Sequence, residues 1–301
     1  VVGLARSGAA AARLLASRGE SVVGVDSGTP REAAGLRDLG VEVVLDADGM
    51  ANLEGVRTVV KSPGVPREAA VITAARERGL PVIGELELAW RLLPNRFIGV
   101  TGTNGKTTTV ELLGHLYRRA GAPVAVAGNV GTALASQVGA LSDDATVVCE
   151  CSSFQLEDSD AFAPECAVFL NLAPDHLDRH GALDAYLDAK LRIFANQANE
   201  DVAVYNGDDP ALAGIDLGGC ARRVRFCAGA DPGCEVSLAG GTIFWDGEPL
   251  IEASELPLLG AHNAENAMAA AAAALTMGLP AEAVRDGLRS FAGVPHRLEQ
   301  V

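Results

Sequence analysis

Residues 102–108 of the chain read Gly-Thr-Asn-Gly-Lys-Thr-Thr, and the types and spacing suggest phosphate chemistry. A turn containing Gly102, Asn104 and Gly105 lets successive backbone N–H groups converge on an anion at a helix N-terminus, where the helix dipole also favours negative charge. In such a cradle Lys106 reaches the terminal phosphates of a nucleotide and the Thr107 hydroxyl a Mg²⁺ ion. The strict G-x-x-x-x-G-K-[ST] pattern is missed at one place, because Val100 stands six residues before Lys106. An ordinary strand-to-helix turn with a surface lysine is the plainer alternative for this segment alone.

Six further groups carry candidate chemistry. Gly3-Leu-Ala-Arg-Ser-Gly8, with Asp26 18 residues after Gly8, nearly matches a dinucleotide fingerprint in which the acid binds a ribose hydroxyl. Ala5 stands where a pyrophosphate needs close backbone approach, which argues for a ligand other than NAD, or for a turn with no ligand. Glu150 ends a predicted strand on the edge where open α/β sheets collect ligands, and Mg²⁺ takes one or two carboxylates; a carboxylate capping the next turn fits as well. Asp175, His176, Asp178 and His180 crowd a turn after another strand, as metal or phosphate work requires and as a solvated loop also allows. Leu183, Tyr186, Leu187, Lys190, Leu191 and Phe194 share one helix face by spacing. Lys190 then either snorkels from the edge of the stripe or is desolvated, and a neutral amine can act as nucleophile or take up CO₂ as a carbamate. Finally, His262, Asn263 and Asn266 open an alanine-rich run where a helix cap or a base-reading pair fits, and His296 and Arg297 lie near the end, the arginine suited to phosphate.

Composition narrows the choice. The 301 residues, 49% hydrophobic, suffice for two globular domains with cores. The net charge of -15 argues against nucleic acid, since tight duplex binding needs about 6–10 phosphate contacts from a basic face. A nucleotide is still allowed, because loop N–H groups, one lysine and Mg²⁺ make a positive field locally. The six cysteines contain no C-x-x-C pair, so reduced thiols in the cytoplasm are expected, and Cys220, Cys227 and Cys234 lack the nearby histidine that would suggest a metal. The alanine-rich run falls short of the ~20 residues of a membrane span. The sequence opens within a strand pattern and stops without a terminal element, so a chain cut at both ends is expected.

These residues need elements to position them. From Val1 to about Leu93, the runs VVGL, SVVGVD, VEVVL, RTVVKS and LPVIG alternate with helical stretches, which predicts a parallel sheet with helices on its faces. RLLPNR reads as a linker. From Arg96 the alternation restarts with a strand to Thr101, a helix from Thr107, and the strands PVAVAG, ATVVCE, CAVFLN and DVAVYN. The predicted fold is therefore α/β: a dinucleotide-fold-like domain over 1–93, then a phosphate-loop ATPase domain over 94–301. The second carries a small β-rich insertion near 222 to 251 and an alanine-rich helix near 261 to 277.

The segments GLARSG, VDSG, KSPGVP, GNVGTAL, ECSSFQLE, DHLDRHG, AKLRIF, HNAENA and GVPHRLE, in that order, together resemble the Mur ligases of bacterial cell-wall synthesis, an ATP-dependent amide-forming family. Its loop reads T-G-T-N-G-K-[ST], which gives Val100 its expected place. The likeness is greatest to the member joining D-glutamate to UDP-N-acetylmuramoyl-L-alanine. The resemblance implies three domains, of which the sequence shows the UDP-substrate and ATP domains, so a chain without the third and inactive alone is expected. It implies UDP-N-acetylmuramoyl-L-alanine, D-glutamate and ATP as partners, two Mg²⁺ ions, a carbamylated Lys190, and a cytoplasmic monomer with no membrane contact. By matching segments it assigns Arg6, Ser7, Asp26, Ser27, Ser62, Pro63, Gly64 and Asn129 to the UDP-sugar. Gly102, Thr103, Asn104, Gly105, Lys106, Thr107, Thr108, Asn263, Asn266 and Arg297 fall to ATP, and Thr107, Glu150, His176 and Lys190 to metal. Catalysis falls to Lys106, Glu150, His176 and Lys190. The L-alanine-adding relative, folylpolyglutamate synthetase, an NAD-dependent dehydrogenase and a non-catalytic UDP-sugar sensor are the rival readings.

Overall fold

The computed structural model describes residues 1–229, 233–258 and 260–293; Arg297 and His296 lie outside them. The chain divides into two compact units, one of Val1–Pro94 with Gly131–Leu141 and Ser153–Phe162, the other of Asn95–Val130, Ser142–Ser152 and the residues from Ala163.

In the first unit the β-branched runs form short parallel strands. β1 (Val23–Val25) pairs with β2 (Glu42–Val44), and β3 (Val59–Lys61) with β4 (Val82–Gly84). Val2 bridges in parallel to both Val25 and Lys61. The predicted strand VVGL is reduced to that bridge, because Gly3, at φ 82°, turns the chain into helix α1 (Arg6–Ser17). A Cβ on Gly8 would lie 1.7 Å from the Gly3 carbonyl oxygen, so glycine is what lets α1 start this close to the turn. Helix α2 (Ala70–Glu77) follows β3 and α3 (Glu85–Leu92) follows β4, so the Arg-Leu-Leu of the expected linker is α3 as far as Leu92.

Three buried ionisable side chains fasten the two later segments to this unit. Lys61, 0% exposed, lies 2.6 Å from Asp158 Oδ2 and donates to the Val65 carbonyl at 2.7 Å. The Glu87 carboxylate accepts the N–H groups of Asp160, Ala161 and Phe162 at 3.0, 3.1 and 3.0 Å and the Arg91 guanidinium at 2.6 Å. Glu85 accepts the Ala135 N–H at 2.5 Å. A buried charge is tolerated when such partners replace its water.

The second unit is built on a nine-stranded sheet of β5 (Arg96–Thr101), β6 (Val124–Gly128), β7 (Thr146–Glu150), β8 (Cys166–Phe169), β9 (Val202–Asn206), β10 (Arg222–Cys227), β11 (Val236–Ala239), β12 (Thr242–Trp245) and β13 (Glu248–Glu252). Its order is β13-β12-β11-β10-β9-β8-β5-β7-β6. β6 through β11 run parallel, and β12 and β13 antiparallel. The β-rich stretch expected as an insertion is thus the edge of the main sheet. Val224, Phe226, Val236, Ile243 and Ile251 share one buried core with Ile98 and Val148, so the apolar faces continue without a break.

Helices α4 (Lys106–Arg119), α5 (Leu183–Leu191), α6 (Ala261–Thr276) and α7 (Ala281–Ser290) are the unit's longer helices, and a single turn of helix spans Leu177–His180. Ala269 to Ala274 of α6 are wholly buried, as close packing against α4 and the sheet demands. The stripe predicted around Lys190 is shorter in the structure: α5 ends at Leu191, Phe194 is buried beyond it, and Leu183 is 37% exposed. Cys149, Cys151, Cys166 and Cys220 are free, as expected, whereas Cys227 and Cys234 are paired in a disulfide, since the end of β10 and the approach to β11 bring their Cα atoms to 6.0 Å.

Candidate active site

β5 lies between β7 and β8, and the chain leaves it through α4 toward β6 before returning by β7 to β8. Loops after β5 and β8 therefore part at a topological switch point, the place where open α/β sheets bind ligands. The loop Gly102–Gly105 sits there. Gly102 has φ 150° and Gly105 φ 84°, conformations that bend the backbone into the N-terminus of α4 without a Cβ penalty. The Thr103 N–H donates to the Asn171 carbonyl at 3.0 Å and the Asn104 N–H to Asn171 Oδ1 at 2.9 Å. Asn171 stands just past β8, and sequence reasoning missed it by taking it as the last residue of that strand. Its signal was its place, a side chain with both donor and acceptor at a strand end on the ligand edge.

Lys106 Nζ donates to the carbonyls of Gly102 and Thr103 at 2.9 and 2.8 Å. Lys190 Nζ, 1% exposed, donates to the same Gly102 carbonyl at 2.7 Å. Burial, then the charge of Lys106, pushes the Lys190 ammonium down to about 7. The face of Tyr186 lies 4.5 Å from Lys190 Nζ, a cation–π contact. Its hydroxyl is 3.4 Å from Thr103 Oγ1, and the rings of His176 and His180 lie against it at 6.4 and 5.2 Å. Tyr186 thus joins the phosphate-loop candidate, the buried lysine and the histidine turn. It counted only as an apolar stripe residue in the sequence, although its position four residues before Lys190 on one helix face was the available signal.

Thr107 Oγ1 donates to Glu150 Oε2 at 2.8 Å, and Asn129 Nδ2 donates to Glu150 Oε1 at 3.0 Å. β7 ends with Glu150 aimed at the first turn of α4, which is how residues 43 apart in sequence meet. Hydroxyl and carboxylate oxygens are the donors Mg²⁺ prefers. His176 has φ 51°, is half-exposed, and lies 3.5 Å from Asp175. Among the described residues no three His, Cys, Asp or Glu side chains gather into a metal cluster. Asn263 and Asn266 are buried, and a Cβ on Gly105 would lie 2.2 Å from Asn266 Oδ1. The asparagine therefore packs directly on the loop, and Thr108 follows in the first turn of α4.

In the first unit, Arg6 and Ser7 begin α1, Asp26 and Ser27 follow β1, and Ser62, Pro63 and Gly64 follow β3, so all seven gather at the C-terminal edge of its parallel strands. Asp26 already has a structural use: Oδ2 accepts the Leu4 N–H at 2.6 Å and Oδ1 the Gly28 N–H at 2.8 Å. Asn129, assigned to the same ligand by sequence, belongs to the second unit, with its amide on Glu150.

A phosphate-binding-type loop at the switch point of a parallel sheet, with a lysine, a threonine and a facing carboxylate, defines a nucleotide-binding α/β protein. Residues 1–84 match the family model for the Mur ligase MurD-like N-terminal domain, and residues 100–274 that for the Mur ligase middle domain. Across its whole length the chain is 44% identical to UDP-N-acetylmuramoylalanine--D-glutamate ligase of Pelotomaculum thermopropionicum and 42% identical to that of Geobacillus kaustophilus, covering 68% of each. Among solved structures it is similar to the UDP-N-acetylmuramate:L-alanyl-gamma-D-glutamyl-meso-diaminopimelate ligase of Neisseria meningitides, with a TM-score of 0.65 at 23% identity and 97% of both chains covered. It also resembles the UDP-N-acetylmuramate-alanine ligase of Thermotoga maritima, with a TM-score of 0.59 at 23% identity over 97% of this chain and 68% of that one. These two likenesses concern the fold. The chain belongs to the Mur ligase family.

Proposed function

We propose that the chain provides the UDP-N-acetylmuramoyl-L-alanine and ATP sites of an ATP-dependent ligase that adds D-glutamate in peptidoglycan precursor synthesis. The observation that carries this reading is the identity of 44% and 42%, along the whole chain, to two relatives named for that reaction. In the reaction a carboxylate oxygen of the UDP-substrate attacks the γ-phosphorus of ATP, the bond to the β–γ bridging oxygen breaks, and ADP leaves. The D-glutamate amine then attacks the acyl phosphate carbon, gives up a proton, and expels inorganic phosphate.

The first step sets anion against anion, so preorganised positive charge must supply much of the rate. Lys106, resting on two carbonyls of its own loop, needs only to turn from them to reach a phosphate. The N-terminus of α4 adds its dipole, with Gly102, Thr103, Asn104, Gly105, Thr107 and Thr108 lining the cradle. Thr107 and Glu150 fit a divalent hard cation by the chemistry of their oxygens, with His176 and a carbamylated Lys190 as the further ligands we assign to two Mg²⁺ ions. Bound there, Mg²⁺ supplies charge neutralisation on the phosphates. The depressed Lys190 leaves much of the amine neutral near pH 7, the form that takes up CO₂. Asn263 and Asn266 hold the nucleotide from beside Gly105. Arg6, Ser7, Asp26, Ser27, Ser62, Pro63 and Gly64 hold the UDP-sugar. Arg297 is the remaining nucleotide contact we assign. No helix among the described residues is long and apolar enough to cross a membrane. A cytoplasmic monomer acting on soluble substrates agrees with this reading.

Calorimetric titration of the chain with UDP-N-acetylmuramoyl-L-alanine, UDP-N-acetylmuramate and NAD tests the proposal. Tighter binding of the alanyl substrate is expected. A preference for the sugar without alanine would favour the L-alanine-adding activity instead, and a preference for NAD would overturn both.

A further inference from the structure

Glu85 and Glu87 are both fully buried at the start of α3, yet their surroundings differ. Glu87 receives three backbone N–H groups and a guanidinium. Glu85 receives the Ala135 N–H on Oε1, the Leu134 backbone acts on it more weakly, and its Oε2 has no hydrogen-bond partner among the described residues. A buried carboxylate with so few donors is held more cheaply as the neutral acid.

The charged groups on the elements packed against α3 are mostly engaged elsewhere. On α1, Arg13 donates to the carbonyls of Glu32 and Ala34, and Arg6, which acts on Glu85 across a distance, is exposed. Lys61 of β3 is taken by Asp158, with Glu157 at 3.9 Å. Arg91, on α3 itself, is taken by Glu87 and Asp160. The segment Gly131–Leu141 contains no charged residue.

We propose that Glu85 is a positioning residue: as a neutral carboxyl it holds the segment Gly131–Leu141 against α1 and α3, and loss of its proton loosens that segment and weakens UDP-sugar binding at the start of α1. The last part rests on the assignment of Arg6 and Ser7 to the UDP-sugar. The geometry supports the link, because the short 3-10 turn Leu134–Gln137 packs on both α1 and α3, and α1 carries those two residues at its first turn. Burial, opposed by the smaller effects of the Ala135 N–H, Arg6 and the Leu134 backbone, pushes the carboxyl up from 4.5 to about 7. The closed arrangement binds the proton more tightly than the open one. Its advantage is therefore complete below about pH 4.5, falls as pH rises toward 7, and is gone above it.

The test is hydrogen exchange of residues 131–141 in the intact chain at pH 5.5 and 8, corrected for intrinsic exchange, with UDP-N-acetylmuramoyl-L-alanine affinity measured alongside. In the wild type, protection and affinity should each fall by roughly tenfold or more, as a shift of more than one pKa unit allows. Glu85→Gln is neutral at both values and should keep both. Wild-type protection unchanged with pH, or a Gln variant that loses protection in step with the wild type, overturns the proposal while leaving the ligand assignment standing if the UDP-sugar still binds. Absence of UDP-sugar binding at either pH overturns the ligand half together with the assignment on which it rests. Infrared spectroscopy of the wild type gives a measure that needs no variant: a protonated-carboxyl band that responds to ¹³C-glutamate labelling should be lost between pH 5.5 and 8, and its absence at the lower pH overturns the proposal.

Discussion

Replacing Gly105 with alanine tests how the candidate loop is held, and its cost divides into two parts. Gly105 has φ 84°, and an L-residue in the left-handed region costs about 1–2 kcal/mol. The new Cβ would also lie 2.2 Å from Asn266 Oδ1, 3.1 Å from its Cγ and 3.2 Å from its Nδ2. Asn266 is 4% exposed, so it has little room to yield, and moving it by about 1 Å into an off-rotamer position adds about 0.5–1.5 kcal/mol. The total is roughly 1.5–3.5 kcal/mol, which corresponds to a fall in Tm of about 3–14 °C for a unit of this size. Trp245 lies in β12 of the same unit, so its fluorescence in a Trp90→Phe background reports unfolding there. Asn266→Ala combined with Gly105→Ala removes the clash but not the backbone strain, so the double variant should be less destabilised than the sum of the singles by about 1 kcal/mol. Additivity within about 0.5 kcal/mol would refute the steric half of the reasoning. ATP affinity should fall in Gly105→Ala even where the protein remains folded.

The remaining expectations concern the lysines and the threonine. Lys61→Met removes the 2.6 Å partner of buried Asp158 and leaves it only the Arg76 guanidinium at 3.7 Å, so it should cost about 3 kcal/mol in chemical unfolding followed by Trp90, while Lys61→Met with Asp158→Leu should recover most of it; equal loss in both would show that the pair is not the cause. With ¹³CO₂ and Mg²⁺, carbon NMR should show a carbamate signal that Lys190→Ala abolishes and Lys61→Met keeps; its survival in Lys190→Ala would remove the carbamate from the mechanism. Because the Lys190 amine is held at about 7 against an ordinary 10.5, the unfolded chain binds the extra proton across that window. Metal-free wild type should therefore gain stability relative to Lys190→Met as pH rises from 7 to 10.5, and a constant difference would count against the depressed amine. Thr107→Val should weaken ATP binding in Mg²⁺ by more than in EDTA, since it removes an oxygen donor and leaves the loop amides; equal effects would place the threonine outside the metal site.

The pattern of residues alone determined the class of fold, the limits of β5 at Arg96 and Thr101, and the place of the phosphate-loop candidate. Those features follow from local preference: β-branched runs extend, alanine-rich runs coil, and glycines with positive φ bend the chain between them. The ordered segments went further and indicated the Mur ligase family. Tertiary structure decided what local preference cannot encode. Strand order put Asn171 against the loop and Glu150 on Thr107, since the neighbour of a strand end is chosen by sheet topology rather than by sequence distance. Burial decided between the two readings of Lys190, and the same helix face made Tyr186 its partner. The residues between 222 and 251 joined the main sheet because their buried faces continue its core, although their short strands and turns resemble a separate insertion in sequence. Glu85 and Glu87 lie two places apart on one helix, yet the packed segments surround Glu87 with three backbone N–H groups, besides Arg91 of the helix itself, and leave one oxygen of Glu85 without a hydrogen-bond partner among the described residues. Solvation of a charge is a property of all that surrounds it, which the linear order of residues does not contain.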